Sequence, residues 1–325
     1  MEEPHCRKIN HRQTGEAFSH CTAIVIPYLN PIELASISST CKTLHHISTT
    51  VTSRRTSDAS RGFEKLPVPF HNPIPGDPHT YSYFLYTPSQ TLRSTTHFRQ
   101  PWGSDHHAPP NPSYPFLFRV DGATGCDCTK GCGGDDSCPC LNLECGPSCK
   151  CDSVCGNRAT QCGVTARLKI INHEKKGWGL YAAELISAGR FICEYAGEVL
   201  STKEARERQQ NYDETARIER LSPALLVVKE HLPFGNTCMR MNIDATRIGN
   251  IARFINHSCD GGNLDTLIVR SSGSLLPRVC FFAASDIQED DELTFSYGDV
   301  ALSSDPRPCF CGASSCTGIL PSEHT

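Results

Sequence analysis

The chain has 325 residues, 38% hydrophobic and 20% charged, with a formal net charge of −4. Those proportions allow one large or two smaller cores and exclude disordered and membrane-embedded classes. A slightly negative balance supplies no overall basic field, so attraction to nucleic-acid phosphates would have to be local.

The chain opens on the polar stretch MEEPHCRKIN, and its first apolar run, AIVI from Ala23, is too short for a signal segment or a membrane span. With no export signal the expected compartment is reducing, where disulfides do not persist. Residues 1–60 read as a helical region. Pro31 stands at a plausible helix start, and Ile32, Leu34, Ile37, Leu44 and Ile47 fall near helical spacing. Residues 61–120 hold eleven of the 22 prolines, mixed with aromatics as in YSYFLY. Short apolar runs between prolines predict extended strands and turns laid over a neighbouring domain, with a flexible linker as the alternative.

From about residue 163 the texture changes to short β-type runs: RLKIIN, RFICEYAGEVL, TLIVR, RVCFFAA and ELTFSYG. One polar helix interrupts them over STKEARERQQNYDETARIERL, with Ser201 and Glu204 spaced as a capping box. The expectation is a mostly-β domain with a largely exposed inserted helix.

Between Cys126 and Cys155 lie nine of the 20 cysteines, spaced C-x-C-x3-C-x5-C-x-C-x4-C-x3-C-x-C-x3-C. A disulfide scaffold would leave one thiol over and needs an oxidising compartment. Zinc resolves the odd count, because three tetrahedral ions need twelve Zn–S bonds and six terminal plus three bridging thiolates supply them. A second group, CFCGASSC near the C-terminus, offers Cys309, Cys311 and Cys316, one short of a tetrahedral site.

The nine-cysteine spacing, followed in order by KKGWGLYA, CEYAGEVL, RFINHSC and ELTFSYG, resembles the SET-domain protein lysine methyltransferases, specifically the Su(var)3-9-related group. The resemblance implies a SET fold of small β-sheets with knot-like C-terminal threading. It divides the chain into the helical region (1–60), a pre-SET region (61–160), the SET domain (163–298) and a post-SET tail (299–325). In the pre-SET region it implies bridging by Cys126, Cys132 and Cys149. One zinc would take Cys126, Cys128, Cys132 and Cys138, a second Cys126, Cys140, Cys145 and Cys149, and a third Cys132, Cys149, Cys151 and Cys155. The post-SET set of Cys259, Cys309, Cys311 and Cys316 would hold a fourth.

The resemblance also implies S-adenosylmethionine held by Gly177, Trp178, Gly179, Asn256, His257 and Tyr297. Tyr195, Phe295 and Tyr297 would line a lysine channel, and phenylalanine at 295 implies room for di- or trimethylation. The implied substrate is a histone tail, H3 in particular, on nucleosomes in the nucleus and on chromosomes, in chromatin regulation and silencing. The N-terminal helices also resemble an F-box helix pair, implying a ubiquitin-ligase scaffold as partner, with plain amphipathic helices as the alternative. Three departures stand out: CDGGNL alters the turn after RFINHSC, a tyrosine frequent in the family is missing from SPALLVVKEHL, and Ser296 replaces the usual aspartate. The rival reading is a zinc-organised binding module without turnover.

Overall fold

The computed structural model describes residues 11–92, 116–128, 132, 140, 143–215, 223–231, 238–298 and 307–321. After α1 (His11–Val25), Asn30 caps α2 (Pro31–Ser38) by accepting from the Glu33 N–H at 2.9 Å. Glu33 accepts from the Asn30 N–H at 2.7 Å in return. Pro31 fills the first helical position, where its missing N–H costs nothing. With α3 (Lys42–Ser57) these helices bury Ile26, Leu34, Leu44 and Val51. The region thus has three helices, not a pair, and Ile32 is 79% exposed. Arg55, wholly buried on α3, ties the helices together and to the proline-rich segment, donating to the Leu29 carbonyl at 2.6 Å and the Tyr81 hydroxyl at 2.9 Å.

The described part of the proline-rich segment, up to Leu92, is extended and packed, and residues 93–115 lie outside the described residues. It contributes β1 (Phe70–His71), β2 (Leu85–Tyr86) and β3 (Thr91–Leu92), two residues each. Then come β4 (Leu168–His173), β5 (Gly177–Ala182), β6 (Phe191–Glu194), β7 (Gly197–Leu200) and the helix α4 (Thr202–Thr215). The remaining strands are β8 (Leu225–His231), β9 (Cys238–Gly249), β10 (Asn256–His257), β11 (Leu264–Val269), β12 (Arg278–Ala283) and β13 (Thr294–Phe295). They form small sheets ordered β1-β4-β5, β11-β12-β6, β10-β13 and β2-β9-β7-β3, with β8 also on β9. Each short proline-segment strand runs parallel to a later one: β1 on β4, β2 on β9 and β3 on β7. The mostly-β SET architecture expected from the motifs is the one observed, and no helix among the described residues is long and apolar enough to cross a membrane.

β9, twelve residues long, escapes sequence patterning because Asn242, Asp244 and Thr246 interrupt it. All three are buried, and buried polar groups need partners. Asp244 accepts from the Tyr212 hydroxyl at 2.7 Å and from its own turn at Thr246 N–H, 2.9 Å, and pairs with Arg208. Arg208 also grips both carboxylate oxygens of Glu198, at 2.7 and 3.1 Å. Ala205, Arg208 and Tyr212 share one face of α4, so this helix is anchored on that side. Its start is the expected capping box, with Glu204 accepting from the Ser201 N–H at 3.0 Å. Residues 216–221 of the predicted helix lie outside the described residues.

A second buried network docks the cysteine segment on the β-domain. Arg278, 2% exposed on β12, donates to Glu144 at 2.7 Å and Thr160 at 2.6 Å, but to Glu194 only at 3.4 Å. Glu144 also accepts from the Thr160 N–H at 2.7 Å and from Gln161 at 3.0 Å. With the short contacts spent on Glu144 and Thr160, burial outweighs the guanidinium at Glu194, whose carboxyl is raised to about 7. A carboxyl more basic in the folded than in the unfolded chain stabilises fully below the unfolded value, near 4.5, and loses that contribution as pH rises through about 7. Wild-type protein should therefore lose about 3 kcal/mol over this window that Glu194→Gln does not lose. Urea unfolding at about pH 5 and about pH 8 compares the two; equal pH dependence in both proteins would remove Glu194 from the account.

Candidate active site and metal centres

Backbone geometry brings the expected cradle residues together. Gly177 opens β5 at φ +74°, a left-handed conformation that glycine adopts without strain. At Gly179 an added Cβ would stand 2.8 Å from Glu292 Oε1 and 3.0 Å from Asn256 Nδ2. Only glycine lets β5 approach those side chains so closely. Trp178 has its ring in a T-shaped contact with Phe70, centroids 5.3 Å apart, and packs on the core. Its carbonyl accepts from Asn256 Nδ2 at 3.4 Å.

β10 and β13 pair in parallel, with Asn256 opposite Thr294 and His257 opposite Phe295. Gly262 bridges Phe295 from the other side, so the C-terminal strand threads between the two limbs of the 256–262 loop. The altered turn is built for this. Asp260 accepts from the Ser258 hydroxyl at 2.6 Å and the Gly262 N–H at 3.1 Å, and Gly261 and Gly262 take φ of +99° and +78°. Asn263, displaced relative to the family pattern, still donates to the Glu292 carbonyl and accepts from the Thr294 N–H, both at 3.0 Å. Ser296 is exposed and accepts from the Gly298 N–H at 3.2 Å, away from the aromatic wall.

That wall runs from Tyr195 through Phe281 and Phe295 to Tyr297, with successive centroids 6.3, 4.8 and 4.9 Å apart. Phe281, wholly buried in the core, backs this wall, and nothing in RVCFFAA marks that position. The Tyr195 hydroxyl donates to the Ala224 carbonyl and the Tyr297 hydroxyl to the Ile255 carbonyl, each at 2.8 Å. Burial pushes the Tyr195 phenol well above its ordinary range, helped by Tyr297; desolvation of the hydroxyl does the same at Tyr297, otherwise 38% exposed, helped by the Glu292 carboxylate. Both remain neutral donors at physiological pH. A neutral aromatic wall disfavours a bare ammonium by desolvation and receives methylated ammonium through its ring faces.

His257 joins this wall to the sulfur chemistry. Its Nδ1 accepts from the Tyr297 N–H at 3.1 Å, which assigns the ring proton to Nε2, 3.2 Å from Cys259 Sγ. Burial lowers its pKa, keeping the ring neutral. Cys259 lies with Cys309, Cys311 and Cys316, all four sulfurs within 4.8 Å of one another. The Cys259–Cys309 separation is 3.8 Å. Sulfurs about 2.3 Å from one tetrahedral zinc stand about 3.8 Å apart, so the set fits zinc.

Residues Cys126, Cys140, Cys145 and Cys149 are likewise together, as the resemblance implied. Cys132 groups with Cys126, Cys145 and Cys151. Cys126 and Cys145 each belong to both sets, and Cys145 is wholly buried at their centre. Asn157 fixes it there, accepting from the Cys145 N–H at 2.9 Å and donating to its sulfur at 3.4 Å. Cys128 packs against the cluster, and the Cys155 sulfur accepts from the Cys132 N–H at 3.1 Å. Cys138 lies outside the described residues. No disulfide joins the described cysteines, and sulfur separations of 3.4–3.7 Å in the cluster suit shared metal.

Comparison with known proteins agrees with this geometry. The SET domain family model matches residues 177–298. The histone-lysine N-methyltransferase SUVR3 of Arabidopsis thaliana is 49% identical over 334 residues, covering 96% of this chain and 93% of that protein. The chain belongs to the SET-domain histone-lysine N-methyltransferases. Arabidopsis thaliana SUVH6 in complex with SAM superposes with a TM-score of 0.63 at 29% identity, over 82% of this chain and 55% of that one. KRYPTONITE in complex with mCHH DNA, H3(1–15) peptide and SAH gives 0.59 at 27%, over 81% and 53%.

The turn after Cys259 can be tested directly. An alanine Cβ at Gly262 would stand 2.3 Å from the Thr294 carbonyl in a left-handed conformation. Gly262→Ala should cost about 1–3 kcal/mol, read as a lower thermal midpoint; an unchanged midpoint would show that the strand does not thread here.

Proposed function

We propose that this chain methylates a lysine on the histone H3 tail with S-adenosylmethionine as donor, and carries the product to the di- or trimethyl state. The observation carrying this reading is the continuous wall Tyr195–Phe281–Phe295–Tyr297 meeting the cradle of Gly177, Gly179 and Asn256 through His257. The H3 peptide bound to KRYPTONITE supports the choice of tail, and the 49% identity to SUVR3 supports the reaction. Chromatin would be the setting, with the nucleus as the compartment and silencing as the outcome.

S-adenosylmethionine, when bound, supplies a methyl group activated by a sulfonium. Gly177, Gly179 and Asn256 would hold it, the glycines by close backbone approach. A lysine amine has a pKa near about 10.4 and must lose its proton to become a nucleophile. The aromatic wall favours the neutral amine by excluding water, and Tyr195 and Tyr297, pinned by the Ala224 and Ile255 carbonyls, orient it. Fixed alignment of amine and methyl supplies much of the rate. About four zinc ions would hold the cysteine sets and take no part in the chemistry.

Phe295 is 4% exposed and packed between Phe281 and Tyr297. A tyrosine hydroxyl there would take up space that an added methyl needs. Phe295→Tyr should shift products toward monomethyl-lysine, and Tyr297→Phe, which loses the bond to Ile255, should lower kcat by roughly 10- to 100-fold. Mass spectrometry of an H3 peptide reads both. Monomethyl product alone from wild type, unchanged in Phe295→Tyr, would sink the product-state assignment.

A further inference from the structure

One carboxylate joins the two halves of the donor cradle. Glu292 lies just before β13, its backbone paired with Tyr181 of β5 through a bridge. Its side chain, 13% exposed, accepts from Lys176 Nζ at 2.6 Å and from Asn256 Nδ2 at 2.8 Å. Lys176 immediately precedes the Gly177–Gly179 turn, and Asn256 begins the opposite strand. The same carboxylate lies against the space at Gly179 where no Cβ fits.

The chemistry of this contact fixes an orientation. An ionised carboxylate only accepts, so Asn256 must turn its NH2 toward Glu292. The second amide N–H then meets the Trp178 carbonyl. The Asn256 amide oxygen is left with no protein partner among the described residues and becomes the acceptor for an N–H group of a ligand, such as the ammonium or amino group of the methyl donor.

We propose that Glu292 is a positioning residue for the methyl donor, orienting the Asn256 amide and clipping it to Lys176 beside the glycine turn. This rests on the reading of the cradle as the S-adenosylmethionine site. Neither Glu292 nor Lys176 needs to touch substrate. A glutamine at 292 can offer NH2 to Asn256, let the amide flip and abandon the lysine, whereas arginine at 176 can keep the ion pair.

Binding of S-adenosylmethionine and S-adenosylhomocysteine by calorimetry, together with steady-state kinetics, tests the proposal. Glu292→Ala and Glu292→Gln should weaken binding and raise KM for the donor by roughly 10- to 100-fold, while KM for the H3 peptide changes by less than about threefold. Lys176→Met should show a smaller loss of the same kind, and Lys176→Arg should restore most of the affinity. Donor affinity unchanged in Glu292→Gln would overturn the proposal even if Glu292→Ala failed to fold. So would a lower kcat and thermal midpoint with unchanged donor KM, which marks a structural role alone. Wild-type protein that bound neither compound would overturn the functional reading itself, whereas wild-type binding that both variants share would overturn only the role of Glu292.

Discussion

The sulfur of Cys259 stands 3.8 Å from that of Cys309, across fifty positions of sequence. That distance is too long for a disulfide and suited to two ligands of one metal. The contact requires the tail to return beside the site, and its effect does not stop at the sulfur. Cys259 faces His257 Nε2, His257 Nδ1 holds the Tyr297 N–H, and the Tyr297 hydroxyl is bonded to the Ile255 carbonyl. Closure of the tail set is thereby linked, through two hydrogen bonds, to the tyrosine that closes the aromatic wall.

The N-terminal cluster works from the other end. Its segment is short and glycine-rich, with little apolar surface to bury, so ligation must supply the folding energy that packing does not. It then docks by close backbone approach. An added Cβ at Gly146 would stand 2.1 Å from the Ser272 carbonyl, and Glu144, next to the doubly shared Cys145, reaches Arg278 on β12. On β6, whose Glu194 receives the weaker share of that arginine, the next residue in sequence is Tyr195. The two cysteine sets are thus connected to opposite ends of the aromatic wall, and between them the core packs through Phe254, Phe84 and Phe70, sharing rings edge to face.

What could be read from the sequence divides along physical lines. Features set by local chemistry were legible: Pro31 at its helix start, the Ser201–Glu204 box, the glycines that open β5, and the Asn256–His257 pair beside β13. Features set by distant partners were not. β9 reads as broken because its buried Asn242, Asp244 and Thr246 are satisfied by α4 and by turns that no pattern announces. Leu34 and Ile37 share one helix face, whereas Ile32, two and five positions from them, faces out. The contact of Asn157 with the Cys145 N–H and sulfur is a further case, since spacing alone carries no record of it. Glu292 looks like one acid among several in QEDDEL; only its place between Lys176 and Asn256 distinguishes it.

Metal analysis tests the sulfur framework most directly. Zinc is measured by mass spectrometry on protein purified without chelator, then withdrawn stepwise while methyl transfer to an H3 peptide is monitored. The expected result is about four zinc ions per chain, with activity lost when the Cys259, Cys309, Cys311 and Cys316 set gives up its ion. Fully active protein with near-zero zinc, or with disulfides joining these cysteines, would contradict it.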